Sequence, residues 1–281
     1  MERIVSGSKT EKAPGVAEVE LIVKDLEAEV SFYQELGLKL RKKGLYEDLT
    51  FAEMGTENSA VLKLVQDKNA MPAPTRMAGL YHFAILLPDR KSLGEAYLRI
   101  GNKGIPFDGY ADHGVSEALY LSDPEGNGIE IYADKPREKW AFDSKNQIQM
   151  TTKPLDIDSI LTETKGNRKP NDVFPEGTRI GHIHLKVTDL QRSLEFYTSR
   201  LGLELTQKIY SAAFLSYSHY HHHVGMNTWE SLGGPARRTG FTGLEQFTLV
   251  ADSDAMKKIG FDDKIKTFSD PDGIKIILTA P

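Results

Sequence analysis

The sequence predicts an α+β fold built from four βαβββ modules, and three observations carry that expectation. The stretch Val19–Tyr33 (VELIVKDLEAEVSFY) returns as Ile183–Tyr197 (IHLKVTDLQRSLEFY). Gly79–Leu87 (GLYHFAILL) returns as Gly243–Ala251 (GLEQFTLVA), and Leu121–Glu130 (LSDPEGNGIE) is echoed by Phe268–Ile277 (FSDPDGIKII). Repetition at so long an offset describes duplicated domains, because solenoid periods run only about 20–50 residues. Within each copy, an alternating run leads into a helical one and then into short β-rich runs.

The first module is read over 15–67. Residues 18–23 alternate as a strand, and Asp25 is placed to cap a helix. Leu26, Val30, Tyr33 and Leu36 follow at helical spacing, and Gly37 stops it. The second module, 78–134, opens with the apolar strand Tyr81–Leu87. It closes with Ala118–Leu121 and Ile129–Tyr132 around the turn DPEGNG. The third, 179–232, copies the first through Asp189, Leu190, Leu194, Tyr197, Leu201 and Gly202, and the fourth spans 242–281. Lys135–Thr178 is polar and long for a loop inside a compact domain, so it reads as a linker. The expected domains are therefore 15–134 and 179–281, joined by 135–178.

A chain of 281 residues has room for two domains and a substantial core. It has no cysteine, which excludes disulfides, thiolate metal sites and cysteine nucleophiles. A net charge of −5 with mixed signs offers no basic face for nucleic acid. The opening MERIVSGSKTEKAPG lacks the apolar run of a signal peptide, and no stretch approaches the roughly 20 apolar residues of a membrane span. The expected setting is the cytoplasm, with neither nucleic acid nor membrane as a partner.

The eight histidines crowd the middle of the chain. His82 and His113 lie in the second module, and His182, His184, His219, His221, His222 and His223 in the third. Imidazole is the commonest neutral metal ligand and the usual proton carrier near neutral pH. Taken alone, His82 in an apolar strand reads as a core histidine, and Glu130 in IEIYA as a solvated face. His182 and His184 share one face of a strand, able to point two imidazoles into one cleft. In the run SHYHHHVGMN, strand parity sends His221 and His223 to one side and His222 to the other.

The repeated helix pattern DLxxxxxFY followed by LG, together with DPEGNGIE, resembles the vicinal oxygen chelate superfamily of glyoxalases, bleomycin resistance proteins and extradiol dioxygenases. The resemblance covers nearly everything outside the linker. It implies paired modules whose mixed sheets curl into a U around a metal-binding cleft, with ligands on the first and last strands. His82, Glu130 and His182 match those ligand positions. His222, within HHVG, matches the acid–base histidine of ring-cleaving members. Tyr120, ten residues before Glu130, matches their tyrosine, and His113, within ADHGV, lies with a small register difference at their histidine upstream of it; both are expected to hydrogen-bond substrate oxygens. The segments GLYHFAILLP, YADKPREKW and YHHHVGMNTW are similar to those of two-domain catechol 2,3-dioxygenase-like proteins of Gram-positive bacteria.

The fourth module departs from the pattern, with Gln246 and Ile277 at the ligand positions. Two sites stay open: His82, Glu130 and His182 from modules two and three, which is preferred, or Glu18, His82 and Glu130 from modules one and two. The resemblance implies extradiol cleavage of a catechol or related aromatic diol by O2. The metal it implies is Fe(II), with Mn(II), Zn(II) and Ni(II) as alternatives, and a homo-oligomer is compatible. A glyoxalase-like isomerase or lyase, or a metal-free binding protein of the same fold, are the other readings.

Overall fold

The structure is a computed structural model that describes residues 13–46, 48–144, 147–164, 170–261 and 265–281. The opening segment 1–12 and the first part, 165–169, of the KGNRKPND stretch therefore lie outside the described residues. Module one comprises β1 (Gly15–Val23), α1 (Leu26–Leu36), β2 (Lys39–Tyr46), β3 (Leu49–Gly55) and β4 (Ala60–Gln66). Module two comprises β5 (Gly79–Leu87), α2 (Arg90–Asn102), β6 (Gly109–Asp112), β7 (Ser116–Ser122) and β8 (Gly128–Asp134). After α3 (Ile157–Glu163) comes module three: β9 (Arg179–Lys186), α4 (Leu190–Ser199), β10 (Glu204–Ile209), β11 (Ala212–Ser216) and β12 (Val224–Asn227). The fourth module shows β13 (Gly243–Val250), α5 (Ser253–Ile259), β14 (Ile265–Ser269) and β15 (Lys275–Thr279), one strand short of βαβββ among the described residues.

The helices begin where the capping residues sit. The side chain of Asp25 accepts from Ala28 N, and that of Asp189 from Gln191 N and Arg192 N. Each satisfies backbone donors that the first turn leaves without partners. Gly37 ends α1 at φ 122°, a backbone state that glycine enters at no steric cost.

Modules pair across the chain rather than along it. One sheet runs β14-β15-β13-β1-β4-β3-β2, from modules four and one; the other runs β10-β11-β12-β9-β5-β8-β7-β6, from three and two. The division into 15–134 and 179–281 is thus one of sequence, and each sheet takes a module from either side of it. The physical reason lies in the first strands: β5 pairs antiparallel with β9, and β1 with β13. Both β5 and β9 are buried almost end to end, as fits central strands covered on two faces. β1 lies against β9 and β13 against β5, so one apolar core runs through both sheets. The outer strand β2 (KLRKKGLY) is exposed and lysine-rich, which discourages edge pairing.

The segment 135–178 does more than link. It buries Trp140, Ile148, Ile160 and Phe174. Lys153 bridges to Asp112, and α3 packs on α2. These large apolar side chains, spaced too far apart for a periodic signal, pull the segment down onto module two.

Candidate metal centre

The site starts from the register of three central strands. Ala84 on β5 has Glu130 of β8 as its partner on one side and His182 of β9 on the other. Cross-strand partners share a face, and His82, two residues before Ala84, faces the same way opposite His184. Two imidazoles and a carboxylate therefore converge around the smallest side chain of the group.

His82 Nε2 and His182 Nε2 stand 3.1 and 3.2 Å from the same oxygen, Glu130 Oε2. The three donor atoms lie within 4.8 Å of one another, all from buried residues, and could hold a metal ion. Ligand atoms about 2.1 Å from one ion stand roughly 3–3.5 Å apart. Burial opposes charge on Glu130, but His182 and His82 beside it hold its carboxyl well below the usual carboxylate range. Burial pulls His182 down to about 4, so its imidazole is neutral at physiological pH. Buried Glu117 and Glu20 have Arg90 and Lys63 as counterions, whereas Glu130 is flanked by His82 and His182. A carboxylate between two imidazoles suits a divalent metal. His182 Nδ1 is buried without a partner, so that ring is engaged through Nε2 alone.

Glycines make room for the crowded rings. A Cβ on Gly181 would stand 1.8 Å from the hydroxyl oxygen of Tyr132, whose ring packs 5.0 Å from that of His182. A Cβ on Gly225 would press on the His184 ring at 3.0 Å. His82 and Glu130 open on a cavity of about 770 Å³, walled in part by Tyr81, Phe214 and Trp229, and roofed by Met150 and Thr151 of the 135–178 segment. Such a volume takes a small aromatic ligand.

Tyr120 is the register partner of Glu130 and lines the same cavity. Its hydroxyl is 2.6 Å from His113 Nε2, while His113 Nδ1 is 2.8 Å from the Thr151 carbonyl. A carbonyl only accepts, so Nδ1 carries a proton and Nε2 of the neutral ring accepts from Tyr120. Burial first, then the charge of Glu130, raises Tyr120 well above the ordinary phenol range and keeps it protonated.

His222 also lines the cavity, its ring 4.1 Å from that of His182. Burial and the neighbouring imidazoles push it well below the ordinary histidine range, so it is neutral. The parity expected for this run does not apply. Residues 217–223 form a turn, with Ser218 and His219 at φ 53° and 54°, and no glycine marks it in sequence. The turn brings His221 and His222 together, their Nδ1 atoms 2.7 Å apart. His223 instead accepts from Tyr217 N, and His219 faces solvent near Glu204. His184 accepts from the Asn227 amide beside the cavity. Glu18, the alternative ligand, sits on β1 in the other sheet.

Three participants went unread in the sequence: Asp134, His221 as its partner, and the roof from 135–178. The alternation E130-I-Y132-A-D134 was a signal for the first, since it sets Asp134 on the face of Glu130.

Residues 15–131 and 179–278 match the family described as the glyoxalase/bleomycin resistance protein/dioxygenase superfamily. The chain is 43% identical over 235 residues to catechol-2,3-dioxygenase of Bacillus subtilis (strain 168), covering 82% of this chain and 80% of that protein. It is 31% identical over 102 residues to biphenyl-2,3-diol 1,2-dioxygenase 3 of Rhodococcus globerulus, covering 32% and 54%. Among solved structures, glyoxalase I of Zea mays superposes with a TM-score of 0.54 at 20% identity, covering 95% of this chain and 92% of that one. That likeness is one of fold.

Proposed function

The chain belongs to the glyoxalase/bleomycin resistance protein/dioxygenase superfamily, and from that premise we propose that it cleaves the ring of a catechol or related aromatic diol in the extradiol manner. It is a homologue of catechol-2,3-dioxygenase over most of its length. The observation that carries the reading is the convergence of His82, Glu130 and His182, of which His82 and Glu130 line an aromatic-walled cavity that Tyr120 and His222 also line.

In the reaction, the carbon–carbon bond beside the two hydroxyl-bearing carbons breaks and both atoms of O2 enter the product. The ring supplies the electrons, so no further reductant is consumed. His82, Glu130 and His182 hold the metal, Fe(II) in this reading. When bound, it supplies Lewis acidity toward the diol and a common point for the diol and O2. The chain's own groups then handle protons and position. Tyr120, whose proton is directed to His113 Nε2, turns oxygen lone pairs toward the cavity and accepts from a diol hydroxyl. With His113 protonated the direction reverses, and Tyr120 donates to developing negative charge. His222, which lines the cavity, acts at Nε2, taking one proton from the diol and returning it later. The rings of Tyr81, Phe214 and Trp229 suit a flat aromatic substrate and exclude water.

Oxygen uptake by Fe(II)-loaded protein given a panel of catechols is the test. The expectation is uptake of one O2 per diol with a ring-opened, visibly absorbing product. Metal-loaded protein that consumes no oxygen with any diol overturns the proposal.

A further inference from the structure

The turn 217–223 and the end of β8 share a hydrogen-bonded chain that the ring-cleavage reading leaves unused. Asp134 ends β8 on the face that carries Glu130. Its Oδ1 lies 3.0 Å from His221 Nε2, and His221 Nδ1 lies 2.7 Å from His222 Nδ1. His221 is fully buried, its ring 4.0 Å from that of Tyr220 and next to Trp140, whereas Asp134 is partly exposed. Tyr220 donates to both oxygens of Asp134, at 3.0 and 2.9 Å, which fixes the plane of the carboxylate.

The direction of each bond follows from what each atom can do. An ionised carboxylate only accepts, so His221 must carry its proton on Nε2. In the neutral tautomer that carries this proton, Nδ1 is a bare acceptor. His222, 2.7 Å away, must therefore carry its own proton on Nδ1. Nε2 of His222 is left unprotonated, on a residue that lines the cavity.

We propose that Asp134, acting through His221, is a positioning residue that fixes the tautomer of His222 and presents its unprotonated Nε2 to the diol. An imidazole held this way is a base before the substrate arrives. The opposite tautomer would turn an N–H toward the diol and could accept nothing from it. A carboxylate two residues removed from contact with the substrate thereby sets which proton transfer is possible, as the third member of a catalytic triad does. The same contacts could instead only pin the turn to β8, and the experiment separates the two roles.

Only the kinetic arm rests on the ring-cleavage reading. Histidine-selective nitrogen-15 NMR on the Zn(II)-loaded full chain reports the tautomer of His222 without turnover. Wild type is expected to show a single Nδ1–H form. In Asp134→Asn the amide can donate as well as accept, so an Nε2–H population should appear. In the Fe(II) enzyme kcat should fall about 100-fold, with KM within about threefold. Tyr220→Phe removes the bifurcated hydrogen bond to the same carboxylate but leaves the Asp134–His221 link, so the tautomer should hold and kcat stay within about threefold. The proposal is overturned if Asp134→Asn leaves His222 in its wild-type form, or if both variants lower kcat alike. If wild type cleaves no diol, ring cleavage fails, and the NMR arm still decides the positioning role.

Discussion

Glu29 offers a stability test whose sign and size follow from its surroundings. It projects from α1 into the turn before β8, fully buried beside Asp123. Asp123 accepts from Tyr33 Oη, Glu125 N, Asn127 N and Asn127 Nδ2, whereas Glu29 accepts only from Glu125 N and leaves Oε2 without a partner. Asp123, with more donors around it, takes the charge and Glu29 keeps the proton. Burial first, then Asp123 and Glu125, raises Glu29 from 4.5 to about 9. A carboxyl with a raised folded pKa stabilises the fold below its unfolded value, and that contribution is lost as pH climbs toward the folded value. Each unit between costs about 1.4 kcal/mol, or about 4 kcal/mol from pH 5 to 8. Because Asp123 shares the proton, we expect about 2–4 kcal/mol. Glu29→Gln keeps the shape of the protonated acid and cannot ionise. Urea unfolding at pH 5 and pH 8 should show wild type losing stability with pH and the variant holding its value. At pH 8 the variant should be the more stable by that margin. The repeat carries a neutral side chain, Ser193, at the matching position, while Tyr197 there donates to Asp270 as Tyr33 does to Asp123. Equal slopes, or a variant weaker at pH 8, would refute the assignment of the proton to Glu29.

Two further outcomes follow from the site. Gly181→Ala forces a methyl group against the Tyr132 hydroxyl at 1.8 Å; it should cost about 1–3 kcal/mol in denaturant unfolding and weaken metal binding through the neighbouring His182. Tyr120→Phe removes the hydroxyl that His113 engages while leaving the three metal-facing groups intact. Metal content should be unchanged and kcat should fall roughly 100-fold, measured by oxygen uptake.

The repeats made the modules legible because each is a local pattern: Asp25 and Asp189 cap, Tyr33 and Tyr197 bury, and DPxG turns into the last strand. The convergence of His82, Glu130 and His182 was legible as well, once first and last strands were identified. The facing of modules two and three was preferred on the ligand set, but the pairing of modules one and four was not read. Such pairing depends on β5 meeting β9 and β1 meeting β13, contacts between residues far apart in sequence, and repeated modules look locally alike. The histidine run misled for another reason. Parity presumes a strand, and Ser218 and His219 take left-handed backbone states that no glycine announces. Trp140 and Phe174 were hidden by the polar residues around them, so a packed roof read as a linker.

The central claim is that two imidazoles and one carboxylate form a single divalent metal site. Calorimetric titration of metal-free protein with Mn(II), in wild type and Glu130→Gln, tests it most directly. The account predicts one ion per chain in wild type and affinity at least about 100-fold weaker in the variant, whose amide keeps the volume and loses the charge. Wild type that binds no divalent ion, or a variant that binds it as tightly, would contradict it.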